Sequence, residues 1–218
     1  MEKKKRKWPK IVGIVVLVIL VLLVLHTGRN FVILSALQVE AADYCSKENY
    51  HVKSVTTMNE YDLVIDSYKK GNKKVTLLEK TDKDGKKVKL SWYSESKRMY
   101  VNTETEKSVK INTENVILAP SVENQFAFSN NLQAIITGMT STIWKTIYNN
   151  EECYAVNYGS IFDILFNNGK NTMYINKDTG LLIGQKWEDS VTVKEYDFEN
   201  IDESVFSEPD INDYVVKD

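Results

Sequence analysis

Residues Ile11 to Leu25 run without one polar side chain, and Lys3, Lys4, Lys5, Arg6, Lys7 and Lys10 stand directly before them. Basic residues collect on the cytoplasmic side of membrane spans, so this pattern holds the N-terminus inside and exports the remainder of the chain. It predicts a cytoplasmic basic tail over residues 1–10, a transmembrane signal anchor over 11–28 and an extracytoplasmic domain over 29–218. After the anchor no second apolar run of comparable length occurs, so the expected protein is single-pass in the cytoplasmic membrane.

As a helix, the Ile11–Leu25 run rises about 22 Å against a hydrocarbon core of roughly 30 Å. That length also suits a secretory signal peptide, and the cleavage chemistry separates the two. His26-Thr27-Gly28-Arg29-Asn30 follows the run where small residues would be required, and the pair Val39 and Ala41 lies too far away. The expectation is an uncleaved anchor, with Trp8 and Thr27 extending the span into the interfaces. The first cysteine, Cys45, is too distant from the run to be a lipidated N-terminus.

Beyond residue 30 the chain carries 21 basic against 29 acidic residues. A net negative domain disfavours nucleic acid and anionic surfaces as its partners, whereas the Lys3–Lys10 run suits anionic lipid on the inner leaflet. Cys45 and Cys153 both follow the anchor. An oxidising compartment would allow one bridge between them, although the sequence leaves open whether they approach. Lysines outnumber arginines 25 to 3, and none of the asparagines stands in an Asn-X-Ser/Thr sequon, a bias that fits a bacterial protein.

Residues 31–44 lack Gly and Pro and place Phe31, Leu34, Leu37 and Ala41 on one helical stripe, so a helix should lead straight out of the membrane. From Tyr50 the period changes to two. Short β-branched and aromatic runs alternate with turn chemistry such as Lys70-Gly71-Asn72 and Asp82-Lys83-Asp84-Gly85, the pattern of an antiparallel meander. Leu132, Ile135, Ile136, Met139 and Ile143 then recur at helical spacing behind the cap candidates Asn130 and Asn131. Strands resume from Lys145 to Phe198 and include a predicted strand at Ile161–Phe166. The expected fold class is α+β: a long curved antiparallel sheet of about ten or more strands, a half-barrel. An N-terminal helix and a central helical insertion cover its concave face, and one transmembrane helix precedes it.

This succession of elements resembles the LolA-like lipoprotein-carrier superfamily, to which outer-membrane lipoprotein-sorting proteins belong. The run Met173-Tyr174-Ile175-Asn176-Lys177-Asp178-Thr179-Gly180-Leu181, the strand Val193–Phe198 and the segment Phe206-Ser207-Glu208-Pro209-Asp210 carry the likeness. It spans about residues 31–212. Two features depart from the family: Leu182 stands where a proline often follows the turn, and the anchor rules out a freely diffusing shuttle. The resemblance implies an apolar cavity able to take acyl chains. Candidates for its lining are Leu132, Ile135, Ile136, Met139 and Ile143 on the central helix, with Leu63, Ile65, Leu77, Leu90, Trp92, Phe162, Ile164 and Phe166 on the sheet.

Catalytic patterns are sparse. His26 sits at the membrane edge and His51 opens a strand, so the chain offers no pair of histidines for a metal and no Ser-His-Asp or Cys-His set. No phosphate-cradling glycine-rich loop occurs either. The expectation is a protein that is not an enzyme and uses no cofactor. Two readings remain: a tethered domain holding a lipid or lipoprotein acyl chain in an apolar groove, or an envelope sensor or protein-interaction module of the same fold without a lipid ligand.

Overall fold

A computed structural model describes residues 8–113, 120–158 and 171–217 of the chain. The predicted anchor and the predicted helix after it are one element, α1 (Trp8–Cys45), 38 residues long. Pro9 falls in its first turn, where a missing N–H costs nothing, and no proline follows to break it. It is long and apolar enough to cross a membrane. Its two halves meet different surroundings: from Ile11 to Leu22 the large side chains are about half exposed or more, whereas Leu34, Leu37 and Ala41 are buried.

The first meander comprises β1 (Tyr50–Thr57), β2 (Tyr61–Lys70), β3 (Lys73–Asp82), β4 (Lys87–Tyr93), β5 (Arg98–Asn102) and β6 (Lys107–Lys110). Helix α2 (Asn131–Thr140) follows, and then β7 (Ser141–Tyr148), β8 (Glu151–Tyr158), β9 (Asn171–Asn176), β10 (Leu182–Trp187), β11 (Ser190–Asp197) and a short β12 (Val215–Lys217). Among the described residues these form one open 12-stranded sheet in the order β12-β6-β5-β4-β3-β2-β1-β11-β10-β9-β8-β7. The first and last long strands, β1 and β11, join the two meanders antiparallel. Among the described strands, β12 alone runs parallel to its neighbour, β6. The protein is therefore α+β with a large curved open sheet, as the alternating pattern predicts.

Each face of the sheet has its own core. On the inner face Leu34 and Leu37 of α1 pack with Phe126, Ile143, Val156, Met173, Ile175 and Leu182. On the outer face Val75, Tyr93, Tyr100 and Val109 are covered by Phe206, Ile211 and Tyr214 of the C-terminal segment. Two 3-10 turns shape that segment, Glu203–Phe206 and Ile211–Asp213, capped by the carboxylates of Asp202 and Asp210. Leu77 packs with this outer cluster, so it is not on the α1 side with Leu63, Ile65, Leu90 and Trp92.

Two expectations shift at the central helix. Asn130 does cap α2, its side chain accepting from the Gln133 amide. The helix ends at Thr140, however, and Ile143 belongs to β7, where it is buried in the inner core. The run Thr140-Ser141-Thr142-Ile143 explains this, because β-branched and hydroxyl residues favour a strand over another helical turn. The predicted strand Ile161–Phe166 lies outside the described residues.

The turn Asn176–Gly180 is where the second meander grips α1. Gly180 has φ of +65°, and a Cβ there would lie 2.2 Å from the Leu37 carbonyl oxygen and 2.7 Å from the Ala41 amide nitrogen. Those are backbone atoms of a helix, which cannot yield. Gly180→Ala is expected to destabilise the domain by at least about 3 kcal/mol in chemical denaturation. A loss below about 1 kcal/mol would mean that the turn does not seat on α1 this closely.

Candidate functional site

Strand register assembles the candidate site on the inner face. Residues Lys194, Ser54, Ile65, Leu78, Leu90, Val101 and Ser108 occupy one row across seven consecutive strands, β11 through β6. The four central members are apolar, and each is only half-buried. At about 4.8 Å per strand they cover roughly 14 Å. The next row toward the β1–β2 turn adds Leu63 and Val88, again partly exposed, with the exposed Lys80 between them. The row on the other side, Val52, Ser67, Thr76 and Trp92, is buried, and the Trp92 Nε1–H donates to the Thr113 carbonyl at 3.3 Å. The inner face thus has a sealed end at Trp92 and an apolar floor open beside it.

Of the residues named from the sequence, Leu63, Ile65, Leu90 and Trp92 meet on this face. Ile143 belongs to the packed core beside α1, and Leu77 faces the other way. Phe162, Ile164 and Phe166 lie outside the described residues. Leu132, Ile135, Ile136 and Met139 project from α2 and are exposed, from 36% at Met139 to 66% at Leu132. The buried residues of α2 are Ala134 and Gly138. Gly138 rests on the backbone of α1, where a Cβ would stand 3.2 Å from both the Thr27 carbonyl oxygen and the Phe31 amide nitrogen.

A latch that no sequence motif announced holds α1, α2 and β7 together. The Asn30 side chain, fully buried, donates to the Gly138 carbonyl at 2.9 Å and to the Ser141 carbonyl at 2.8 Å. His26 Nε2 donates to the same Ser141 carbonyl at 3.0 Å, and the Arg29 guanidinium donates to the Ile143 carbonyl at 3.1 Å. The helical spacing of His26, Arg29 and Asn30, which places them on one side of α1, was the available signal.

Burial shapes the electrostatics at the Lys194 end of the row. Desolvation holds the Lys194 ammonium below its ordinary value, with partial relief from the Glu123 carboxylate. Lys74 is lowered chiefly by desolvation and then by Lys69. Tyr196 donates to the Leu182 carbonyl at 2.8 Å, and burial raises its hydroxyl above the usual tyrosine range.

The cysteines do not pair. Both are free thiols: Cys45 ends α1 over the inner face, and Cys153 lies in β8 between Tyr154 and Glu152, its Sγ bonded to the Thr146 carbonyl. Alternation along β8 turns Cys153 away from the inner-face residues Tyr154 and Val156, so the sheet separates the two sulfurs. Burial raises both thiol pKa values, with help from Glu151 at Cys153 and from Glu123 at Cys45. His51, on β1, bonds Asp66 at 2.8 Å and stacks on Tyr68. Among the described residues no cluster of three or more His, Cys, Asp or Glu side chains could hold a metal ion.

No family model matches the chain, and no curated protein matches it. Solved structures do match, at low similarity. A DUF1329 family protein from Desulfovibrio piger ATCC 29098 is 12% identical, with a TM-score of 0.31 over 84% of this chain and 97% of that one. MucB in complex with MucA(peri) is 8% identical, with a TM-score of 0.34 over 81% of this chain. MucB alone is 9% identical, with a TM-score of 0.33 over 83% of this chain. The matches span 60% and 64% of the two MucB chains.

Two outcomes test this site. Because folding lowers the Lys194 pKa, the unfolded chain holds that proton more tightly, and stability rises with pH from the lowered value up to the ordinary 10.5. Lys194→Met should therefore raise Tm at pH 7, and the gain should shrink as pH approaches 10.5; a constant gain would locate the effect in packing rather than charge. Protein unfolded without reductant should titrate two thiols, with Cys153 modified slowly before unfolding.

Proposed function

We propose that the chain is a membrane-tethered, non-catalytic domain on the outer side of the bacterial cytoplasmic membrane, holding the acyl chain of a lipid or lipoprotein against its inner face. In this reading residues 1–10 remain in the cytoplasm, 11–28 cross the bilayer and 29–218 are exported. The observation that carries it is the apolar row Ile65, Leu78, Leu90 and Val101, which neither α1 nor α2 fills. A continuous apolar surface left open on the covered side of a sheet calls for a ligand or partner. Acyl chains match its chemistry, because the four residues offer no hydrogen-bonding side chain and both ends of the row become polar, at Ser54 with Lys194 and at Ser108. The resemblance to lipoprotein carriers points the same way.

Photo-crosslinking in the full-length protein tests this. A photoreactive residue at Leu90 should give lipid adducts by mass spectrometry, whereas one at Val64, which alternates onto the outer face, should not. Adducts to protein alone at Leu90 would favour the interaction-module reading. A companion measurement separates groove from core: Leu90→Asn should remove the lipid adducts at a cost of about 1 kcal/mol, while Leu77→Asn in the outer cluster should cost about 2–4 kcal/mol. Equal, large losses at both positions would mean that the inner row is packed core.

A further inference from the structure

We propose that α2, with Trp144 and Trp187, is a second membrane contact, so that the domain sits on the outer leaflet of the bilayer that α1 crosses. This rests on the reading of α1 as a membrane span, and it assigns a partner surface to residues that the acyl groove does not use.

Level is the first argument. The hydrocarbon core takes about 20 helical residues, which from Ile11 reaches Asn30. Gly138 of α2 lies against Thr27 and Phe31, and the Ser141 carbonyl is bonded by His26 and Asn30. The lower end of α2 and the start of β7 are therefore held at the boundary of the core. Asn124 donates to the Gln38 carbonyl at 2.8 Å, so the segment from 124 to 141 runs antiparallel to α1, back toward the bilayer.

The second argument is the side on which the large residues stand. A helix of a water-soluble domain buries its apolar stripe and exposes polar residues. In α2 the small residues Ala134 and Gly138 face α1, while Leu132, Ile135, Ile136 and Met139 face outward. Small residues inside and large apolar residues outside is the arrangement of helices packed in lipid. Charge agrees with it. Between Glu123 and Lys145 no residue is charged, in a chain that is 27% charged overall.

Aromatic residues supply the third argument. Trp144 follows the latched Ser141–Ile143 segment and is 39% exposed. Trp187 is 56% exposed and pairs with Asn171 at the end of β10. By register it lies beside Ser190 and close to the row of Thr142, Asn157 and Thr172, three strands from the latch. Exposed tryptophans at this height match the aromatic belt of a membrane interface.

The test uses the full chain with both native cysteines replaced by serine, reconstituted in vesicles of phosphatidylcholine and phosphatidylglycerol. An environment-sensitive label is placed by Leu17→Cys, Val39→Cys, Leu132→Cys, Ile136→Cys or Met139→Cys, and quenched by doxyl-labelled phospholipid. Labels at 136 and 139 should be quenched at least about threefold more than at 39, which stands roughly 21 Å along α1 beyond Leu25. Quenching should weaken toward Leu132, about 6 Å above Ile136 and about 10 Å above Met139 on α2. Strong quenching at 17 with none at 136 or 139 would overturn the second contact and leave the anchor intact. No quenching at 17 would overturn the anchor and this proposal together. Shielding of 136 that appears only with added cell extract, without lipid quenching, would assign the face to a protein and overturn the proposal.

Discussion

One helix carries two unlike surfaces. The 38 residues of α1 pass from an apolar, outward-facing half to a core element of the sheet without a break, so no linker separates the apolar half from the domain. The junction is braced where a flexible hinge would otherwise form. Asn30, His26 and Arg29 occupy the outward carbonyls of Ser141 and Ile143 on the edge strand β7. Gly180 admits the β9–β10 turn against Leu37 and Ala41 about two to three turns higher. Leaving such buried carbonyls unpaired costs about 1–3 kcal/mol each, so the latch makes the angle between the apolar half of α1 and the sheet a structural property.

This division of labour also explains why part of the inner face is open. The sheet is wider than one helix can cover: α1 fills the floor over β7 to β10, and the C-terminal segment seals β3 to β6 from the opposite side. Helix α2 could have covered the remaining inner rows. It stacks instead on α1 through Ala134 and Gly138, which brings the two backbones close and turns its large residues away. The row from Ile65 to Val101 is left half-buried as a result.

Strand content was readable because alternation and turn chemistry are local. Pairs such as Lys70-Gly71 and Asp84-Gly85 mark turns wherever they fall, and Gly71 and Gly85 do adopt positive φ. Local pattern could not supply the partner of each face. Leu77 and Leu90 look alike in sequence, yet odd and even positions of paired strands send them to opposite sides of the sheet. The α2 stripe was legible as a stripe, but its direction depended on Gly138, whose value lies in a contact with Thr27 and Phe31 more than a hundred residues away. Ile143 continued the helical spacing by coincidence, and only the Ser141 pairing with Tyr158 settles it as strand. The thiols were likewise undecidable until the sheet came between them.

The open row and the proposed membrane seat make a common geometry. The rim row that begins at Thr142, beside the latch, continues by register through Asn157, Thr172, Lys186, Val191, Thr57, Asp62, Thr81 and Lys87. Leu63 and Val88 are the next positions inward from that rim, then the Ile65–Val101 row and finally the sealed row of Trp92. The apolar floor is therefore partly exposed toward the rim row that begins at the latch and closed toward the row of Trp92. On the proposed reading, an acyl chain would cross the polar rim and pass Leu63 and Val88, which flank the exposed Lys80, to reach the floor. Contact with Leu63 and Val88 would offset part of the hydrophobic cost of exposing methylenes to water, about 0.8 kcal/mol each. If α1 spans the bilayer as proposed, a rigid anchor serves that function better than a flexible one, because it would keep the mouth of the floor at the height where acyl chains begin.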